Sequence, residues 1–227
     1  MKEKLKLVLL LVVLLGIIVI SHELGERVVS MDVKEEKIKI VVDPGHGGAD
    51  PGKVGVNGAL EKDINLEIAK KVKAILEKEN VHIIMTREDE NGLYDEADNN
   101  KKLADMQKRV EIIETEKPQL VVSIHQNSFS DNSVKGPQVF YHAQSQEGEQ
   151  IALVLQNELN TLGAERSIKA NDSYYMLKKT TVPTIIVECG FLSNEEEAEM
   201  LTQEEYQEQV AQAICSGIIK WLDKSVE

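Results

Sequence analysis

The sequence predicts an α/β fold: a single domain with a mostly parallel central sheet flanked by helices on both faces. Three observations predict it. Short apolar, β-branched runs alternate along the chain with segments of helical period. Ionisable residues stand at the ends of those runs, where ligands gather in open α/β sheets. No internal repeat or low-complexity segment interrupts the alternation.

Ile38–Val42 is the first run, and Asp43-Pro44-Gly45-His46-Gly47-Gly48 breaks it abruptly. Proline cannot continue a strand ladder, and glycine lets backbone approach a ligand closely. One imidazole is therefore presented from a loop poor in side chains. The loop alone is equally compatible with a metal ligand, a phosphate cradle or a plain turn. Ile64, Ile68, Val72, Ile75 and Leu76 then recur at helical spacing, which predicts a helix from Leu60 to about Glu79. Val81–Thr86 reads as a second strand. An acidic, aperiodic loop follows to Lys102, and Leu103, Met106, Val110 and Ile113 mark one face of another helix.

Leu120–His125 is the third strand, and Gly136–His142 the fourth. Ile151, Leu155, Leu159 and Leu162 predict a helix, and Tyr174–Leu177 reads as a short extended piece. Thr184–Cys189 is a strand with Pro183 at its start, where proline is tolerated. Ser193 followed by Glu196 fits a capping box. Tyr206, Val210, Ile214, Cys215, Ile218 and Trp221 line a closing helix.

The domain so read occupies residues 38–224. Before it, Lys2, Lys4 and Lys6 precede the apolar run Leu7–Ile20. That run would cover ~21 Å as a helix, short of the ~30 Å hydrocarbon core. A basic start with a short apolar run is the pattern of an export signal, so residues 1–21 are expected to act as a signal peptide or signal anchor, and 22–37 as a linker. The protein is then expected outside the cytoplasmic membrane, secreted or anchored, with membrane contact only through the N-terminal segment. A net charge of −13 argues against a nucleic-acid partner, which would need a basic stripe. Two cysteines, Cys189 and Cys215, cannot form a disulfide framework for a domain of this size and read as small buried residues.

The chemistry lies in four ionisable residues. His46 follows the first strand, Glu61 opens the first helix, His125 ends the third strand and Glu188 ends TIIVE. In a parallel sheet those strand ends share one edge. Two histidines and one carboxylate that leave a position open are a usual ligand set for catalytic zinc. Taken singly, His125 reads more readily as a satisfied core histidine, and Glu61 equally as a helix-start carboxylate favoured by the dipole. An acid attached to TIIV must be buried or at a site, and buried carboxylates need a partner.

In IVVDPGHGGADPG, LEKD, MTRED, SIHQNS, GPQVFY and PTIIVECGFLSNEEE the chain resembles the zinc-dependent N-acetylmuramoyl-L-alanine amidases of the type-3 family. The resemblance runs from residue 38 to about 201 in the family's order, and the closing helix extends it. It implies a zinc ion held by His46, Glu61 and His125, with Glu188 as the catalytic carboxylate. It implies hydrolysis of the amide joining N-acetylmuramic acid to L-alanine in peptidoglycan, the implied partner. Arg87, Arg109 and Asn127 fall at polar positions common in the family and are expected to contact substrate, the two arginines alternatively to form structural ion pairs. The layout of a signal and a catalytic domain resembles the germination-specific (spore-cortex) amidases, which prepare muramic δ-lactam in the developing spore. A regulatory partner protein is compatible with the sequence.

Two other readings compete. One is a cysteine-dependent hydrolase built on Cys189, although a thiol beside an acid at the end of a buried strand lacks an activating environment. The other is a non-catalytic peptidoglycan-binding protein.

Overall fold

The computed structural model describes residues 38–225, together with residues 2, 6, 10 and 13–21. The expected linker, 22–37, lies outside the described residues. Residues 13–21 are helical and expose Val13, Leu14, Leu15, Ile17, Ile18, Val19 and Ile20. Among the described residues no helix is long and apolar enough to cross a membrane.

From residue 38 onward the chain builds one six-stranded sheet, ordered β2-β1-β3-β6-β4-β5. The strands are β1 (Lys39–Pro44), β2 (His82–Met85), β3 (Leu120–Asn127), β4 (Gln138–Tyr141), β5 (Lys169–Ala170) and β6 (Thr184–Phe191). Strands β2, β1, β3 and β6 run parallel, β4 pairs antiparallel with β6, and β5 pairs parallel with β4. Helices cover both faces, so the central strands are buried on both sides and read as continuous apolar runs rather than alternating ones. On one face Ile40, Val42, Leu120, Val122, Ile185 and Val187 pack with α1 (Glu61–Leu76), α3 (Gln146–Leu159) and α6 (Glu204–Ser225). On the other, Val41 and Val121 meet Ile113 of α2 (Lys101–Glu116) and Met176 of α4 (Tyr175–Lys179).

Two local expectations are corrected. Tyr174–Leu177 is not extended beyond its first residue: Tyr174 is extended, and α4 starts at Tyr175. Asn171 Oδ1 accepts from the backbone N–H groups of Ser173 and Tyr174, and this Asx-type turn launches the helix. The expected capping box does not form, and the cap lies one residue on; the Glu197 carboxylate accepts from the backbone N–H groups of Gly136 and Phe191 instead of closing a box. Asn194 caps α5 (Glu195–Met200) by accepting from Glu197 N–H, whereas Ser193 Oγ accepts from Phe129 N–H.

The sheet order positions the site. Strands β1, β3 and β6 are consecutive neighbours and parallel, so their carboxyl ends come together at one edge. At that edge the β3–β6 register slips between His125 and Asn127: His125 pairs with Glu188, but Asn127 pairs with Phe191. Such irregularities re-aim side chains beside active sites.

Candidate metal centre and active-site cleft

Helix α1 begins without a side-chain cap. Instead the glycine loop supplies backbone acceptors: Glu61 N–H donates to Lys53 O (2.9 Å) and Lys62 N–H to Pro51 O (3.1 Å). The loop thus satisfies the helix's orphan donors and fixes Glu61 against itself. Gly52, at φ +70°, makes this possible, because a Cβ there would sit 2.5 Å from Glu61 Oε2 and 2.8 Å from His46 Cδ2. Gly45 has the same importance for β3, since a Cβ there would collide with the His125 ring.

His46 carries φ +61°, a sparsely populated conformation for a residue with a side chain. The surroundings hold it there. Arg109 Nη2 donates to His46 O (2.5 Å) and its Nη1 to Pro44 O (2.6 Å). Arg87 donates to the carbonyls of Pro44, Gly45, Lys62 and Asp89. Both guanidinium groups are buried, and both brace the histidine loop from beneath.

His46, Glu61 and His125 converge. One ligand atom from each lies within 4.8 Å of the others. His46 Nε2 is 3.2 Å and His125 Nδ1 2.9 Å from Glu61 Oε1, and the two rings meet edge-on at 5.0 Å. Glu61 is almost wholly buried. Burial opposes its ionisation, but hydrogen bonds and charge from the two histidines outweigh that and hold it far below the usual carboxylate range. Gln126 N–H (3.1 Å) and Lys53 N–H (2.7 Å) also donate to it. His125 is likewise opposed by burial, yet its bond to Glu61 raises its pKa.

Asp50 is a functional residue that the sequence reading passed over. Its Oδ2 lies 3.0 Å from His46 Nδ1 and 3.0 Å from Lys102 Nζ. Burial works against its charge, but His46 and Lys102 hold the carboxyl at about 2. With its Oδ2 against Nδ1, an ionised Asp50 would hold a proton on Nδ1 and leave Nε2 to a bound metal ion. This carboxylate–histidine pairing is the usual outer support of a metal-bound imidazole. The signal was available, since a metal-binding histidine needs such a partner and an acid stands four residues on.

Glu188 lines the same cleft, which has a volume of about 570 Å³. Its Oε1 lies 3.5 Å from the Tyr174 hydroxyl, and its Oε2 is buried with no hydrogen-bond partner among the described residues. Burial pushes its pKa up to about 7; the nearby histidines pull it down and Glu61 pushes it further up. An orphaned buried carboxylate oxygen requires an explanation, and Glu188 shares its cleft with His46, Glu61 and His125. This donor set, two imidazoles and a carboxylate with a second, unpartnered carboxylate beside them, fits zinc with an exchangeable position.

Of the three residues expected to contact substrate, Asn127 and Arg109 line the cleft and Arg87 does not. Arg109 is buried with its donors taken by Asp43, Asp105, Pro44 and His46, which is the ion-pair alternative realised. Cys189 does not line the cleft; it is fully buried, and burial drives its thiol far above the usual range. That environment excludes the thiolate a cysteine nucleophile requires. Cys215 is also buried, and both cysteines are free.

A family model described as N-acetylmuramoyl-L-alanine amidase matches residues 40–220. The chain is 37% identical over 187 residues to the germination-specific N-acetylmuramoyl-L-alanine amidase of Bacillus subtilis, covering 80% of this chain and 78% of that protein. It is similar to the CwlD amidase of Clostridioides difficile, solved in complex with the GerS lipoprotein. The identity is 39% and the TM-score 0.80, over 84% of this chain and all (100%) of that one. The amidase AmiC2 of Nostoc punctiforme is 36% identical with a TM-score of 0.72, over 82% of this chain and 97% of that one.

Proposed function

The chain belongs to the N-acetylmuramoyl-L-alanine amidase family, and on that premise we propose that it hydrolyses the bond between N-acetylmuramic acid and L-alanine with His46, Glu61 and His125 as zinc ligands and Glu188 as the proton carrier. The observation that carries this reading is the unpartnered, buried Glu188 Oε2 of a residue that lines one cleft with the clustered His46, Glu61 and His125. When bound, zinc supplies an acidified water and a Lewis acid for the amide carbonyl.

The protein's own residues do the rest. Glu188 accepts a proton from the attacking water at Oε2 and delivers it to the alanine nitrogen, which must be protonated to leave. A pKa near neutrality suits a group that both takes and gives. Tyr174 bonds to the opposite oxygen and leaves Oε2 free for this transfer. Asp50 Oδ2, 3.0 Å from His46 Nδ1, would orient that ring for the metal. Arg109 and Arg87 act on the reaction only through the loop they hold. Asn127, at the cleft wall, is the substrate contact among the three residues first assigned that role.

Similarity to the germination-specific amidase supports action on spore-cortex peptidoglycan. Similarity to an amidase solved with a lipoprotein supports a lipoprotein partner. The peptidoglycan substrate lies outside the cytoplasmic membrane, which agrees with the export signal read in residues 1–21, ahead of a catalytic domain over 38–224.

Mass spectrometry of digested peptidoglycan tests the bond. Stem peptides with a free L-alanine amino group should be released while the glycan stays uncut. New reducing sugar ends would mean a glycosidase instead. The purified protein should hold about one zinc per chain and lose activity to a chelator; full activity in metal-free protein would end the zinc reading.

A further inference from the structure

One buried polar residue of α1 has no part in the chemistry above. Asn65 is wholly inaccessible, one turn beyond Glu61, on a helix whose neighbouring buried positions are Ile64, Leu66, Ile68 and Ala69. A primary amide in such a place is costly unless it is hydrogen-bonded, and a leucine of similar size would fill the core better. Its bonds are specific. Nδ2 donates to Gly45 O at 3.1 Å and lies 3.5 Å from Glu61 Oε1, and Oδ1 accepts from Gln126 Nε2 at 3.1 Å.

Every one of those contacts ends on, or next to, a proposed zinc ligand. Glu61 is one itself, Gly45 precedes His46 and Gln126 follows His125. The three ligands come from three elements (the loop after β1, helix α1 and strand β3), and Asn65, itself on α1, is bonded to the other two and reaches Glu61 along its own helix. We propose that Asn65 is the positioning residue that holds the three ligand-bearing elements at their mutual spacing, an inference that rests on the zinc reading above.

A leucine at 65 keeps the volume and removes the ties. The Gly45 carbonyl retains its bond from Arg87 Nη2, so the loop keeps one anchor and the variant should fold. Gln126 Nε2 would be left without its partner. Glu61 would keep its backbone donors but lose a neighbour that limits rotation of its carboxylate.

The test is zinc affinity, measured on the full chain by competition with a chromophoric chelator, alongside the zinc-induced rise in Tm. Asn65→Leu should bind zinc about 10–100-fold more weakly, the usual effect of losing an outer-shell partner. Its Tm should respond less to added zinc. Val72→Ala, a cavity-forming change at a fully buried position of the same helix, should lower Tm but leave zinc affinity unchanged. Gln126→Leu removes the tie to β3 alone and should weaken zinc less than Asn65→Leu does. The double variant should be little worse than Asn65→Leu, because the two share one bond. Gln126→Leu also carries the test if Asn65→Leu does not fold. Wild-type affinity in both variants overturns the inference, as does an equal loss of affinity in Val72→Ala. Failure of the wild-type chain to bind zinc removes the metal reading itself, which is a distinct result.

Discussion

Glu188→Gln is expected to lower kcat by about 10²–10⁴-fold while leaving zinc content unchanged. Glutamine keeps the shape of the side chain and an oxygen for the Tyr174 hydroxyl, which lies 3.5 Å from Oε1. What it loses is the proton acceptor at Oε2. The corresponding rise in barrier is roughly 3–5 kcal/mol. Alanine at His46, Glu61 or His125 is expected to give the opposite signature, with metal content and activity falling together. Metal analysis beside steady-state kinetics separates the two classes. If Glu188→Gln loses zinc while Glu61→Gln keeps it, the two glutamates have exchanged roles. If Glu188→Gln is as active as the wild type, Glu188 is a structural carboxylate and the mechanism lacks a base.

The two glutamates differ for a reason visible in their surroundings. Glu61 is enclosed by donors: two imidazoles and two backbone N–H groups. Its charge is therefore stabilised and its pKa lowered. Glu188 is equally buried but has one long contact, so burial dominates and its pKa rises to about 7. Environments that push two carboxyl groups apart in this way assign one to hold charge and the other to move protons.

The parts of this arrangement that the sequence discloses are those with a one-dimensional signature. Strands β1, β3 and β6 are buried on both faces, so they stand out as apolar runs, and an ionisable residue at the end of such a run is conspicuous. His46, His125 and Glu188 were legible for that reason, and Glu61 because it opens a periodic helix beyond a glycine loop. Asp50 and Asn65 were not, because an aspartate in a loop and an asparagine in a helix look like solvated residues until the fold turns them inward. The arginines hid their targets too: Arg87 bonds to backbone carbonyls and Arg109 to two carbonyls besides its aspartates, and no residue type advertises a carbonyl. The one-residue slip of the α5 cap has a similar cause. Ser193 with Glu196 and Asn194 with Glu197 both have the spacing, but neither closes a box: Phe129 N–H occupies Ser193 Oγ, and Gly136 and Phe191 N–H occupy the Glu197 carboxylate, so Asn194 caps alone.

Beneath the site, Arg109→Leu is expected to destabilise the metal-free protein by about 3–5 kcal/mol at neutral pH, the usual consequence of leaving buried charge without its partner. Arg109 Nη1 lies 2.6 Å from Asp43 Oδ1 and its Nε 2.6 Å from Asp105 Oδ2. Asp43 also accepts from the hydroxyls of Thr86 (2.6 Å) and Ser123 (2.5 Å). Burial alone would raise the Asp43 pKa, but the charge of Arg109 and these hydrogen bonds hold it at about 2. Its folded value is thus below its unfolded value. The stability it contributes is complete above about pH 4 and is lost as the pH falls towards about 2. Removing Arg109 reverses the sign. Burial without the cation raises the folded pKa above the unfolded one, so the penalty is absent at low pH and grows as the pH rises past the unfolded value. Urea unfolding of wild type and Arg109→Leu in the presence of chelator should therefore show the gap between them narrowing from pH 7 to about pH 4. A gap of constant size would mean that the cost is packing rather than charge. Arg109→Lys should fall between the two, since it retains the cation for Asp43 but lacks the planar fork that reaches Asp105, Pro44 and His46 together. Because the His46 carbonyl is one of those three acceptors, the lysine variant should also bind zinc less tightly than its stability alone accounts for.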